Sequence, residues 1–297
     1  MIHFFYDADS EMSLAVAKEF GIDDPKYFIK MPYTISGELK YCDLITPELS
    51  TSFFKKVRAG EMPTTSALNA EEYKEIFEPA FREGGDILYV SFSSNMSATF
   101  NHMNIAVKEL KEKYPTVTFT RIDSKAISMG TGLAVIAAAK MLKAGKSVDE
   151  IVKYMDELVP RINITIVADD LNYLKRGGRL TAIKALFGTM LQIKPIIKLT
   201  TAGTLIPTTN VTGRNKALMT MVNEIADRAS EADDLPIIIM QGDCIAEANR
   251  VRDKLQSLLP KADIRLMDVG PVIGTHCGPG TIGICFIDGQ RPEPVKD

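Results

Sequence analysis

Three segments rich in hydroxyl side chains lie in predicted loops that lead into helices. They are residues 64–66, residues 93–99 and residues 124–128. In open parallel sheets, ligands bind beyond the carboxyl ends of the strands, where helix N-termini offer free backbone N–H groups. Neutral hydroxyls beside such groups suit a small anion, for instance a carboxylate. The alternative is that these side chains only cap helices and close turns, although three such loops on one edge favour a ligand site.

A histidine near the C-terminus, His276, is a further candidate for contact with an anion. It lies among glycines and prolines at residues 270–280, which predict a tight loop between two strands. A histidine held there could donate a hydrogen bond to an anion, or backbone groups alone could satisfy its ring.

Standard catalytic signatures are absent from the sequence. Residues 130–135 place Val135 where the dinucleotide-binding fingerprint has Gly or Ala, and residues 145–147 imitate a phosphate-binding loop but lack its first glycine, since position 140 is lysine. No GxSxG elbow surrounds a serine, and the three histidines and four cysteines have no metal-ligand spacing. We therefore expect no cofactor, no metal site and reduced thiols.

Length and composition are those of a globular protein. The chain has 297 residues, which favours two domains, and is 45% hydrophobic and 25% charged. No apolar run reaches the roughly 18 residues of a membrane span, and residues 1–7 predict a strand and not a signal peptide. The sequence therefore predicts a soluble protein of the cytoplasm without a transmembrane segment.

Positive charge is concentrated in one window, residues 171–223. This window contains eight Lys and Arg residues and no Asp or Glu, although the net charge of the chain is -3. The asymmetry indicates an anionic ligand or an acidic partner surface, or else lysines that are merely solvated. The overall acidity and the lack of a recognised motif argue against nucleic-acid binding.

The order of strand and helix patterns predicts the fold class. Strands expected at residues 2–6, 87–92 and 118–122 alternate with helices, which is typical of a parallel sheet. Strands at residues 194–199 and 204–211 flank a turn and predict an antiparallel hairpin, so that the second sheet is mixed. We predict an N-terminal parallel α/β/α domain at residues 1–160 and a C-terminal mixed-sheet α/β domain at residues 161–297.

Helix starts are marked by capping residues. Thr46-Pro47 predicts one start, and the pairs Asn69 with Glu72 and Ser147 with Glu150 predict two capping boxes.

Six motifs, taken together, resemble the DegV family of bacterial fatty-acid-binding proteins. Each is short, but they occur in family order over nearly the whole chain. They are Pro63-Thr64-Thr65-Ser66, Ser93-Ser94-Asn95-Met96-Ser97-Ala98-Thr99, Ile122-Asp123-Ser124, Lys175-Arg176-Gly177-Gly178-Arg179, Lys194-Pro195-Ile196, and the segment from Gly270-Pro271 to Gly280.

The resemblance implies a binding protein without catalytic activity of its own. One long-chain fatty acid would lie in a tunnel at the interface of the two domains. A separate fatty acid kinase would phosphorylate the exposed carboxylate to an acyl phosphate for phospholipid synthesis. Transient contact with a membrane would be compatible with this role.

The resemblance also implies roles for individual residues. Thr65, Ser94 and His276 would bind the carboxylate, while Arg179 and Arg214 would dock the kinase or face its phosphate. Supporting hydroxyls would come from Ser66, Ser93 and Ser97. The chain departs from the family pattern at Ala8, at Ala67-Leu68 and at Ala98, which bears on loop geometry and acyl-chain preference.

A second hypothesis is an enzyme of another class. In a serine-dependent acyl hydrolase or transferase, Ser94 would be the nucleophile and His276 the base. The sequence offers no third group that would orient His276.

Overall fold

The computed structural model describes residues 1–179, 192–229, 234–289 and 291–294. The basic residue Lys184 of the positive window lies outside these ranges. In chain order, the elements of the N-terminal part are β1 (Ile2–Asp7), α1 (Leu14–Phe20), β2 (Phe28–Ile29), β3 (Met31–Ile35), β4 (Glu38–Cys42), α2 (Pro47–Arg58), β5 (Thr64–Thr65), α3 (Ala70–Glu83), β6 (Asp86–Ser91), α4 (Thr99–Lys113), β7 (Thr118–Asp123), α5 (Ser128–Lys143) and α6 (Val148–Leu158).

The first sheet is parallel, in the strand order β2-β1-β6-β7. Its central strand β1 is buried from His3 onward, as expected of a strand with helices on both faces. The predicted parallel sheet is thus confirmed. All three predicted helix caps are also confirmed: the Thr46 side chain accepts from the Leu49 N–H, and both capping boxes form.

A small antiparallel sheet, not foreseen from the sequence, joins β4, β3 and β5. Its short strand β5 pairs Thr65 with Tyr33 of β3. A strand of two residues is too short to show a periodic pattern in the sequence, and its partner lies about thirty residues away. Neither β5 nor its pairing could therefore be predicted.

The remaining elements belong to the second part of the chain. They are β8 (Ile162–Val167), α7 (Leu171–Gly177), β9 (Ile193–Leu199), β10 (Leu205–Thr212), α8 (Arg214–Ala226), β11 (Ile237–Gln241), α9 (Ile245–Leu258), β12 (Ile264–Asp268), α10 (Pro271–Cys277) and β13 (Ile282–Ile287).

The second sheet is mixed, in the order β10-β9-β8-β13-β11-β12. The predicted hairpin is the antiparallel pair β9 and β10, and only β11 and β12 pair in parallel. Helices α8 and α9 pack on one face of this sheet around buried residues such as Leu218, Met221 and Val251. The mixed α/β sheet is therefore confirmed.

The main hydrophobic core extends from one sheet to the other. It contains Phe5 and Leu88 of the parallel sheet together with Ile164 and Cys285 of the mixed sheet. The predicted boundary at residue 160 falls in the 3-10 turn Val159–Arg161 between α6 and β8 and stays a prediction. Within the described ranges, none of the helices is both long and apolar enough to cross a membrane.

The segment at residues 270–280 is a helix and not the loop that we predicted. Pro271 begins α10, and Gly278, with a φ of 73°, follows its end. Proline at the first position and glycine just beyond the last position are the usual signals of a helix start and stop, so the sequence contained the information.

Candidate functional site

A largely apolar cavity lies between the parallel sheet, the mixed sheet and α10. It contains about 970 Å³ of atom-free space, counting the space at its opening that is continuous with solvent. The apolar lining comes from both parts of the chain and includes Met31, Phe92, Ile164, Ile166, Leu205 and Met240. The polar lining residues that are not buried, and so mark the opening, are Thr65, Ser66, Ser97, Arg179 and His276.

Thr65 and His276 meet at this opening. The small sheet fixes Thr65, and α10 carries His276. Their Oγ1 and Nε2 atoms are 2.9 Å apart, although the residues are separated by 211 positions in the sequence. Both residues line the cavity, and their role as carboxylate ligands stays a prediction.

The environment of His276 favours the neutral imidazole. Burial, followed by the nearby charges of Arg179 and Arg176, lowers the pKa of His276 to about 4. Its Nδ1 atom is buried and has no hydrogen-bond partner among the described residues. A neutral ring can carry its proton on Nε2, donate to Thr65 and leave the Thr65 hydroxyl free to donate toward the cavity.

Arg179 lies directly beyond the C-terminal end of α7 and lines the same cavity. Its Nε donates to the Met96 carbonyl oxygen at 3.2 Å, and its Nη1 donates to the Gly177 carbonyl oxygen. These bonds hold the guanidinium at the opening, beside the loop that carries Ser97. Positive charge is therefore fixed where an anion would enter.

In the serine loop, residues 93–99, some hydroxyl groups bond to other parts of the protein and one lines the cavity. Ser97 lines the cavity, and its Oγ accepts from the Thr99 N–H at 3.2 Å, which leaves the hydroxyl proton free. Ser66 also lines the cavity.

Ser93 and Ser94 do not line this cavity, and their predicted roles at the carboxylate stay a prediction. Ser93 is buried and donates to the Gly203 carbonyl oxygen at 2.8 Å. Ser94 donates to Asp123 Oδ2 at 2.5 Å and is not among the residues that line the cavity. Because an ionised carboxylate is the stronger acceptor, Asp123 holds the Ser94 hydroxyl at the end of β7. Of the three serines in this loop, Ser97 is the one that lines the cavity.

Arg214 is engaged within the C-terminal part and does not line the cavity. Its Nε and Nη2 donate to both carboxylate oxygens of Glu247, at 2.8–3.1 Å, and Nη2 also donates to the Gly280 carbonyl oxygen. Asp169 lies 3.6 Å from its Nη1. Nη1 itself is buried and has no hydrogen-bond partner among the described residues. These contacts are typical of a structural arginine, and the docking role of Arg214 stays a prediction.

Three buried acids near the cavity were not anticipated. Asp7 accepts from the Tyr89 hydroxyl at 2.7 Å, and Glu11 accepts from the Gly270 N–H at 2.6 Å and from Ser128. Burial raises the pKa of Asp7 to about 7 and that of Glu11 to about 8. Asp9, between them, lines the cavity, and burial raises its pKa well above the ordinary value. The sequence signal was three acids at alternate positions after a buried strand.

No group of His, Cys, Asp and Glu side chains suited to a metal ion exists among the described residues. All four cysteines are free thiols.

Known proteins resemble this chain over nearly its full length. Residues 8–289 match the model of a family described as an uncharacterised protein, DegV family COG1307. A DegV domain-containing protein of Clostridium perfringens is 34% identical over 291 residues, which cover 98% of each chain.

Solved structures show the same fold. A DegV family protein of Thermus thermophilus, whose structure is described by its fatty acid binding, superimposes with a TM-score of 0.81 at 25% identity and covers 97% of this chain and 99% of its own. A fatty-acid-binding DegV family protein of Streptococcus agalactiae gives a TM-score of 0.82 at 24% identity over 99% of both chains. With its α/β fold, its cavity and these matches, the chain belongs to the DegV family.

Proposed function

We propose that this protein binds one long-chain fatty acid in the cavity and presents its carboxylate at the opening to a separate kinase. The observation that carries the proposal is the combination of a large apolar cavity with neutral hydrogen-bond donors and one arginine at its mouth. The fatty acids bound by the related proteins of Thermus thermophilus and Streptococcus agalactiae support the same ligand class.

The head group would be held by Thr65, Ser97 and Arg179. His276 would act on the ligand through Thr65, since an Nε2–H that donates to Oγ1 orients the threonine proton toward the carboxylate. Hydrogen bonds to a charged acceptor contribute about 1.5–3 kcal/mol each, so a few donors suffice to position the anion.

The acyl chain would supply most of the affinity. Transfer of each CH2 group from water to an apolar wall contributes about 0.8 kcal/mol. Isoleucine and methionine side chains such as Ile164, Ile166 and Met240 offer such a wall. A chain held over most of its length should dissociate slowly, because most affinity differences lie in the dissociation rate.

Delivery to the kinase would use the arginines at the opening. Thr65, His276, Arg176 and Arg179 line a small pocket beside the cavity mouth. The positive charge of Arg176 and Arg179 suits the phosphate of a nucleotide or an acidic partner surface. Arg214, bound to Glu247, would support the fold instead of docking. Formation of an acyl phosphate for phospholipid synthesis, a cytoplasmic location and transient membrane contact belong to this proposal.

The hydrolase alternative is less well supported. Ser94 donates to Asp123, and His276 contacts Thr65, so the pair expected of nucleophile and base does not meet. Thr65 with His276 is the remaining dyad, but no described group orients the other ring nitrogen, and the low pKa makes His276 a weak base. Turnover of a generic ester that is lost in Thr65→Val would favour the enzyme.

The decisive experiment compares Ser97→Ala with the matched control Ser94→Ala. Native mass spectrometry of the purified protein should detect one bound fatty acid, identified after organic extraction. Ser97→Ala should bind added palmitate at least tenfold more weakly, because it lacks a donor to a charged acceptor. Ser94→Ala should bind as the parent does. A protein that neither contains nor takes up a fatty acid would refute the proposal.

A further inference from the structure

Asp9 differs from every other polar group in the interior wall of the cavity. Its side chain is 8% exposed and lines the cavity, on the 3-10 turn Ala8–Ser10. Its carboxyl group accepts from the N–H of its own backbone, and no hydrogen bond given by the described residues joins it to another side chain. The three interior hydroxyls that line the same cavity all have partners: Thr99 pairs with Tyr73, Ser128 with Glu11, and Thr281 with the Cys277 carbonyl oxygen.

Asp9 lies inside the cavity and not among the groups that would hold a head group. The two small pockets beside the opening are lined by Thr65, Ser97, Arg179 and His276 but not by Asp9. The 3-10 turn that carries Asp9 contacts α5, and Ser128 at the start of α5 donates to the neighbouring Glu11. A plain hydrocarbon chain against Asp9 would cover its carboxyl group and offer no partner to the positions that its own backbone leaves unused.

The carboxyl group of Asp9 is chemically suited to a neutral polar partner. Burial, with the neighbouring charges of Asp7 and Glu11, raises its pKa well above the ordinary value, whereas Arg179 acts in the opposite direction. A protonated carboxyl group is both a donor and an acceptor, as a hydroxyl group is. Burial of a polar group without a hydrogen-bond partner costs free energy. A ligand that supplies the partner avoids this cost and binds more tightly by that amount.

We propose that Asp9 is a specificity-determining residue that selects acyl chains bearing a hydrogen-bonding substituent, of which a hydroxyl group is the simplest. The inference rests on the proposed fatty-acid binding and names the substrate class within it.

The test measures the affinity of stearate and of stearates hydroxylated at carbon 2, 3, 10 or 12. The wild-type protein should bind one of the hydroxylated acids about tenfold more tightly than stearate, which corresponds to about 1.4 kcal/mol. Asp9→Asn, which keeps a donor and an acceptor of similar shape, should retain the preference. Asp9→Val should lose it and bind stearate more tightly. Thermal unfolding shows that each variant is folded, and Asp9→Ala replaces the valine variant if that one is not.

Two outcomes overturn the inference in different ways. Stearate binding with no preferred hydroxylated acid, or with the same preference in the valine variant, refutes the role of Asp9 and leaves the proposed function intact. A wild-type protein that binds none of the five acids refutes the proposed function and this inference together.

Discussion

Replacement of Gly177 by alanine should weaken fatty-acid binding while it leaves the free energy of unfolding nearly unchanged. Gly177 ends α7, and a Cβ atom added there would lie 2.2 Å from Nδ1 of His276. Since non-bonded carbon atoms in contact stand about 3.5–4.0 Å apart, the ring would have to move by more than about 1 Å. The 2.9 Å contact between His276 and Thr65 would then be broken.

The expected magnitudes follow from the groups involved. Without His276, the Thr65 proton is no longer directed at the carboxylate, and a hydrogen bond to a charged acceptor is worth about 1.5–3 kcal/mol. Fatty-acid affinity should therefore fall about 10- to 100-fold. For the folded state, loss of the Thr65 contact costs about 0.5–1.5 kcal/mol, whereas alanine in a helix gains up to about 1 kcal/mol over glycine. The free energy of unfolding should change by less than about 1 kcal/mol.

The assay combines displacement of a fluorescent fatty acid by palmitate with urea unfolding. Gly289→Ala is the matched control, because its added Cβ would meet no atom within 4 Å. In a His276→Ala background, Gly177→Ala should have no further effect on affinity, since the clash no longer exists. A folded Gly177→Ala protein that binds palmitate as tightly as the parent would refute the head-group geometry.

Two further predictions concern the buried acid Glu11 and the cavity wall. Burial raises the pKa of Glu11 from 4.5 to about 8, so the folded protein keeps a proton that the unfolded chain loses, and the free energy of unfolding should fall as the pH rises through this range. Glu11→Gln should flatten that decline by a few kcal/mol at most, because Asp7 and Asp9, whose pKa values are also raised, cause the remainder. Identical slopes of thermal midpoint against pH in the variant and the parent would contradict this prediction. At Gly283, which lines the cavity, an added Cβ would have its nearest neighbour at 3.7 Å. Gly283→Val should fold and should shift the binding preference from stearate toward the shorter myristate, by about fourfold for each CH2 group that the new side chain displaces. Gly283→Ala should have an intermediate effect. An unchanged ranking of chain lengths would mean that the acyl chain lies elsewhere.

Local signals in the sequence were sufficient for much of the fold. The capping boxes at Asn69 and Ser147 and the hairpin of β9 and β10 depend on residues close together in the chain, and each was predicted. Thr65 and His276 were also selected before the structure placed them in contact. Sequence patterns pointed to the loop of Thr65 and to His276 separately, and the family resemblance placed them in one site, because no local rule links residues 211 positions apart.

The serine loop shows what sequence patterns could not decide. Ser93, Ser94 and Ser97 are chemically identical, and their roles depend on partners supplied by distant segments. Ser93 donates its hydroxyl hydrogen bond to the Gly203 carbonyl oxygen, and Ser94 donates to Asp123. Only the tertiary structure shows that Ser97 remains for the cavity. Arg179 likewise reaches the cavity because Met96 and Gly177 hold its guanidinium there.

The buried acids raise the question of how a carboxylate could enter a cavity that Asp9 lines. Ionised acids would repel it, but burial raises the pKa of Glu11 to about 8 and that of Asp9 well above its ordinary value, which favours their protonated forms. A bound carboxylate would favour those protonated forms further, since like charges disfavour ionisation. Anion binding and proton retention would therefore reinforce each other. Arg179, whose charge lowers the pKa of Asp9, limits this effect and supplies the attraction at the opening that neutral acids lack.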